Sequence, residues 1–401
     1  MRRFFLISLM AALALTAVSC SKSSSSNPFN PAAAEVAAQA GDQALANQDL
    51  TGADAHYKDA LAKDPGNPHA NLGAAITGLG LLQQDPGVDS LLTFIGSVPL
   101  PAPGARAARS SRLLAHLGLP TAMRYDPLSN GRGLAKLLMR GAQDPILFSW
   151  YQRVIRNRIM PRLQYAEDRL NVLESHPSFI YLVPTNITGL DFPLEVDLGE
   201  ALALDAVVNS LQGVLGTLVA YDFDALPGAT PTELLNPAGT FGNLRTDGAA
   251  QLAAARANLR IASSRMVAMD AAIRAEIDDQ SDDVIPAAAL DEQGFKDVEA
   301  AFAQMEAALT GTVYYVDVKT WDNRTVVISL SAGNFFSTPI ADWKTKIPHY
   351  TINFCGDVVL DDPLTFPDAT FNGLFPGMTS AILADIIGPV TPPSCIPLVK
   401  N

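Results

Sequence analysis

Five residues near the N-terminus, Gly41, Ala53, Tyr57, Ala60 and Pro65, stand at intervals of 12, 4, 3 and 5. The spacing predicts two amphipathic helices over residues 35–66, joined by a tight turn. Small side chains at Gly41 and Ala53 let two helix backbones approach closely, because the distance between helix axes follows the residues at the contact. Tyr57 is the bulky side chain that fills the gap to the next helices. Asp64-Pro65 ends the second helix, since the residue before a proline is pushed out of the helical region. Two helices cannot bury both of their faces alone, so later helices are expected to stack on them.

These residues resemble the tetratricopeptide repeat, a helix-turn-helix unit of about 34 residues. Ala37, Ala40 and Ala44 stand where that family places bulkier side chains. Ala70-Asn71-Leu72-Gly73-Ala74 looks like the start of a second unit, which fades after Leu82. The resemblance implies a concave helical surface that takes a protein or peptide partner. A lone unit would instead be a capping hairpin.

Arg2 and Arg3 precede an apolar run from Phe4 to Val18. That run is shorter than the roughly 20 residues that span a bilayer. A basic start, a short apolar stretch and small residues before a cleavage point read as a secretory leader. Ala17-Val18-Ser19-Cys20 resembles the lipobox of bacterial lipoproteins, with Ala17 where leucine is usual. The resemblance implies cleavage before Cys20, lipid on its thiol and an acyl chain such as palmitate on its new amine. Ser21, which is not Asp, implies delivery to the outer membrane. Residues 1–19 are then the leader, and residues 20–30 a lipidated, serine-rich flexible tether.

With Cys20 lipidated, Cys355 and Cys395 remain. Two cysteines in an exported, oxidising compartment suggest one disulfide, with two separate buried thiols as the alternative. The bridge would be worth on the order of 4 kcal/mol in the chain-entropy model. Hydrophobic residues make up 48% of the chain and charged residues 17%, which excludes a largely disordered protein. The formal charge of −13 falls to −15 once Arg2 and Arg3 leave with the leader. An acidic chain lacks the electrostatic footprint of a nucleic-acid binder.

Three further regions follow from the patterning: a tetratricopeptide-like segment over 31–96, an α-helical body over 97–310, and a β-hairpin with a Pro/Gly-rich tail over 311–401. Within the body, residues 97–110 read as a loop. Asp144-Pro145 starts a helix that runs to about Ser175, with a kink expected at Pro161. Arg153, Arg156, Arg158 and Arg162 on that helix form either an anion site or a solvated face paired with acidic residues. Residues 196–222 are the most hydrophobic helix of the mature chain, with Leu204, Val207, Val208, Leu211, Leu215 and Leu218 at helical spacing. Asp205, Asn209 and Gln212 interrupt it, which points to a central core helix rather than a membrane span. Residues 225–243 read as loop, and helices resume over 247–278 and 291–310, the last with Gly311 as its C-cap. Residues 312–319 and 325–331 form a hairpin that is expected either to pack on the helices or to gain a third strand at Tyr350–Phe354.

Catalytic and metal-binding spacings are absent from the sequence. His56, His69, His116, His176 and His349 fall in no HExxH pattern, and neither a GxSxG elbow nor a GxxxxGK[ST] loop occurs. No zinc, cofactor or catalytic residue is expected. Two acidic groups, Asp278-Asp279 with Asp282-Asp283 and Asp357, Asp361, Asp362 with Asp368, offer oxygens that suit calcium. A solvated inter-helix loop is the preferred reading of the first group, and turn chemistry is the alternative for the second. Glu195, Asp197 and Glu200 form either an acid–base pair or first-turn charges at a helix N-terminus.

The expected fold is mainly α. A tetratricopeptide-like hairpin is stacked on a larger α-helical body, followed by a small C-terminal β-hairpin and an irregular disulfide-closed tail. The expected role is that of a non-enzymatic binding or scaffolding protein at the outer membrane. The lipid anchor holds it to the membrane, and a protein of the cell envelope is its partner. The alternative is a solute-binding component of a transport system with a pocket between helices, and behind it a carboxylate-based hydrolase.

Overall fold

The computed structural model describes residues 29–96, 148–188, 193–225, 229, 231–276, 292–320, 322–352, 358–361 and 363–388. Cys20, Cys355, Cys395, Asp144, Arg2 and the acidic run 278–283 lie outside these residues. The described chain is mainly helical, with small β-hairpins.

The first four helices start by one device. α1 (Pro31–Ala46) follows Asn30, α2 (Leu50–Lys63) follows Asp49, α3 (Pro68–Gly80) follows Asn67 and α4 (Pro86–Gly96) follows Asp85. Each preceding side chain accepts a hydrogen bond from a first-turn amide: Ala33 at 3.0 Å, Gly52 at 2.8 Å, Ala70 at 2.7 Å and Gly87 at 2.8 Å. These bonds satisfy amides that have no partner inside the helix. Pro31, Pro68 and Pro86 open three of the four helices, where a missing N–H costs nothing.

Tyr57 of α2 lies fully buried between α1 and α3. A methyl group on Gly41 or on Gly73 would overlap its ring. Ala53 and Ala60, one turn to either side of Tyr57, are also fully buried. Pro65 sits in the exposed turn after α2, and its carbonyl accepts from Asn71 Nδ2 at 2.9 Å.

α3 packs on α6 (Met160–Leu173), which follows α5 (Phe148–Val154). Between α5 and α6 the backbone takes a π-helical turn over Ile155–Ile159. The predicted kink is therefore placed just ahead of Pro161. Proline clashes with the carbonyl four residues earlier, and the wider turn removes that contact. α6 packs on α7 (Leu198–Val219), and α7 packs along α8 (Gly248–Ala275). Gly199 faces Ile273, Gly213 faces Leu259 and Gly216 faces Ala255, so the two helices run antiparallel at close range. α9 (Glu292–Thr310) covers the outer side of α8, and Gly311 follows it at φ +101°.

α7 is, among the described residues, the one helix long and apolar enough to cross a membrane by composition. Most of it is covered by its neighbours, and each of its polar interruptions has a partner. Arg265 Nε on α8 donates to Asp205 Oδ2 at 2.6 Å, and Arg265 also pairs with Glu174 and bonds Asn171. Gln212 donates to Glu167 at 2.8 Å and accepts from Asn258 at 2.8 Å. Asn209 Nδ2 donates to the Asp205 side chain at 2.9 Å.

Three two-stranded antiparallel ribbons complete the fold. β1 (Tyr181–Val183) pairs with β2 (Leu194–Val196), β3 (Tyr314–Lys319) with β4 (Thr325–Leu330), and β5 (Tyr350–Ile352) with β6 (Val358–Leu360). The expected third strand at Tyr350 thus pairs with its own downstream neighbour rather than with the β3–β4 hairpin. The β1–β2 ribbon has no signal in the sequence, because three-residue strands carry no usable period. A short C-terminal helix, α10 (Ser380–Ile387), ends the described chain. Between these parts, Tyr221, Phe223, Phe335, Trp343 and Phe371 form a continuous aromatic contact.

Two substitutions test this packing. Gly73→Ala places a methyl group in the Tyr57 ring and is expected to cost about 1–3 kcal/mol of stability in denaturant titration. Arg265→Met leaves Asp205 buried without its cation and is expected to cost about 3–5 kcal/mol at neutral pH. Burial already pushes the Asp205 carboxyl up to about 6, despite Arg265. The loss in Arg265→Met should shrink as the pH falls and Asp205 takes up a proton.

Candidate functional site

The densest group of titratable side chains sits where α1, α2, α3 and β1 meet. Glu35 and Asp42 lie two turns apart on α1, on the side that faces α3. His69 stands in the first turn of α3. Its Nδ1 lies 3.0 Å from Glu35 Oε1 and its Nε2 lies 3.0 Å from Asp42 Oδ1. Tyr57 donates its phenol to Asp42 Oδ1 at 2.6 Å, and Tyr181 of β1 donates to the same oxygen at 2.8 Å. Asn67 Nδ2 reaches Glu35 Oε2 at 3.3 Å. The imidazole also stacks against Tyr181, with ring centroids 4.6 Å apart, and meets Tyr57 edge-on at 6.3 Å.

The local sequence explains the placement. The Asn67 cap and Pro68 start α3 directly before His69, so its ring projects across the α1 surface. Gly41 lies next to Asp42 and lets the Tyr57 ring in, which brings the phenol to the carboxylate.

Burial alone would pull the His69 imidazolium down. Its hydrogen bonds to Asp42 and Glu35, with their charges, outweigh that effect and raise it above the ordinary 6.5. Burial likewise opposes ionisation of Asp42 and Glu35. His69, joined by Tyr57 and Tyr181 at Asp42 and by Asn67 at Glu35, brings both carboxyls below their ordinary values. Burial and the Asp42 carboxylate push both phenols well above the usual tyrosine range. With both ring nitrogens facing carboxylates, the geometry favours the imidazolium, one N–H directed to Glu35 and the other to Asp42, with both tyrosines as neutral donors. Such an arrangement fastens three helices and a strand together.

The other residues weighed in the sequence separate in space. Arg156 bonds the Val219 carbonyl and pairs with Asp247, while Arg158 bonds both oxygens of Asp85. Two of the four arginines of the basic run are thus held by separate acidic partners. Asp197 and Glu200 form a capping box at the start of α7, which is first-turn chemistry. Asp368 accepts from the Thr370 amide and hydroxyl, the Asn372 amide and Lys346 Nζ, the last at 2.7 Å. Its oxygens serve a turn and an ion pair. Asp357 and Asp362 lie outside the described residues.

Sequence reasoning tested His69 for metal-ligand spacing and found none. The available signal was Glu35 and Asp42 at i, i+7, a spacing that puts both on one helix face. Tyr181 could not be found that way, since it joins the group across more than a hundred residues.

The site sets a pH dependence. His69 is raised, so its contribution is complete below 6.5 and is lost as the pH climbs through its folded value. Asp42 and Glu35 are lowered, so theirs is complete above 3.8 and 4.5 and is lost as the pH falls through the lowered values. The group is most stabilising between those limits, from about 4.5 to 6.5. Denaturant titrations of wild type and His69→Gln should differ most in that window and converge as the pH rises into the alkaline range.

Comparison with protein-family models, with curated proteins and with solved structures finds no match to this chain.

Proposed function

We propose that the chain is a lipid-anchored protein of the bacterial outer membrane that binds a protein partner on a tetratricopeptide-like helical surface, with no enzymatic activity of its own. One observation carries the reading. Gly41, Tyr57 and Gly73, the small, aromatic and small positions of the repeat pattern, meet at one point between α1, α2 and α3. The repeat resemblance requires that contact, because the aromatic residue of one unit must fill the space left by small residues of its neighbours. α6 then continues the stack, as a repeat unit with an exposed face needs. Cys20 supplies the anchor, and a Cys355–Cys395 disulfide would staple the tail.

A second reading rests on a different observation. An open groove of about 830 Å³ lies between α8 and α9. Ile261, Val267, Ala271, Phe302 and Ala303 line it, together with the Arg260–Glu306 ion pair. A groove of that size suits a small, largely apolar solute.

Affinity capture of the native, lipidated protein from its own membranes separates the two. A stoichiometric protein partner with cross-links to residues 31–96 is the expected result. A monomer carrying a co-purified small molecule would replace the scaffold with the solute-binding reading. Cys20→Ala should abolish palmitate incorporation and release the protein from the membrane fraction.

A further inference from the structure

The outward face of α1 is unlike the rest of this acidic protein. Phe29, Ala32, Val36, Gln39 and Gln43 are exposed. At about 100° per residue Ala32, Val36, Gln39 and Gln43 fall on one narrow stripe of the helix, and Phe29 lies just ahead of its N-cap Asn30. Phe29 is 45% exposed and Val36 67% exposed, the latter the most exposed large hydrophobic residue among those described. Of the helix's two charged residues, Asp42 is turned to His69, while Glu35 contacts His69 and also accepts from Gln39 Nε2 at 3.4 Å at the edge of the stripe. The stripe is therefore apolar at its N-terminal end and uncharged along its length.

Its position in the chain says what covers it. Eight residues, 21–28, separate Cys20 from Phe29. Fully extended, the nine Cα–Cα steps between them reach roughly 30 Å. α1 is thus the first element of the fold that an anchor at Cys20 draws toward the bilayer. Most other surfaces of a chain at −15 would be repelled by anionic headgroups, whereas this face carries no charge. Apolar and aromatic side chains gain free energy at the headgroup–acyl boundary, and phenylalanine is well suited to that depth.

We propose that the Phe29–Ala32–Val36 face of α1 lies against the lipid surface that holds the Cys20 anchor, which fixes the orientation of the helical stack instead of leaving it to swing on its tether. The inference rests on the lipid-anchor reading above. In this orientation α1 is the helix closest to the membrane.

The test uses the lipidated full chain in phosphatidylethanolamine–phosphatidylglycerol vesicles that contain a phospholipid with a photoreactive diazirine in its acyl chain. After illumination, lipid adducts are mapped by mass spectrometry. Adducts on residues 29–39 should exceed those on the exposed Tyr315–Val327 hairpin several-fold. In the Phe29→Ser/Val36→Ser variant they should fall to the hairpin level, with the thermal midpoint unchanged. Equal labelling of α1 and the hairpin in the wild type overturns the proposal. The mass of the N-terminal peptide in the same sample reports acylation of Cys20. Acylated Cys20 with unlabelled α1 overturns the docking alone. Unacylated Cys20 overturns the anchor, and the docking with it.

Discussion

Burial of α7 organises this protein. A 22-residue helix with apolar side chains around most of its circumference cannot face water, so it needs cover on opposite sides. α6 supplies one side and α8 the other. The α8 contact is close because glycines at 199, 213 and 216 let Ile273, Leu259 and Ala255 approach the α7 backbone. α3 and the N-terminal helices join this core through α6, α9 joins it through α8, and β3 packs in turn on α9. Fully burying a leucine or valine is worth about 1.5–3 kcal/mol, and a helix contributing several of them sets the layer order.

Apolar burial alone leaves the register of such helices loosely fixed. Here buried polar pairs fix it. Asp205 meets Arg265 where α7 crosses α8, and Gln212 links Glu167 of α6 to Asn258 of α8. A slip of either helix by one turn would leave these groups buried without partners, at roughly 1–3 kcal/mol for each neutral group and more for a charge. The same logic recurs at the N-terminal end. There His69, Asp42, Glu35, Tyr57 and Tyr181 hold α1, α2 and α3 against β1. The His69 group is most stabilising from about 4.5 to 6.5, and the Asp205 charge weakens as the pH falls through about 6.

The functional reading follows from how the chain is distributed around this core. The anchor is expected at the end where the helical stack begins, and the first helix offers a face without charge. The candidate site holds that helix to the rest of the stack. An anchored protein needs such a joint, since any pull between tether and body passes through α1.

The sequence by itself determined the mainly helical class, the positions of the N-terminal helices and the contact role of Gly41, Ala53, Tyr57 and Ala60. Local chemistry sufficed there, because Asn-Pro and Asp-Pro starts, small-residue spacing and proline stops all act within a few residues. It also identified α7 as a core helix from Asp205, Asn209 and Gln212, since buried polar side chains demand partners. Only the tertiary structure decided who those partners are. Arg265, Tyr181 and Asn258 lie far along the chain from the groups they satisfy, and no periodicity encodes a pairing at that range. The same holds for β1–β2 and β5–β6, three-residue strands whose pairing is set by the packing around them and not by their own sequence.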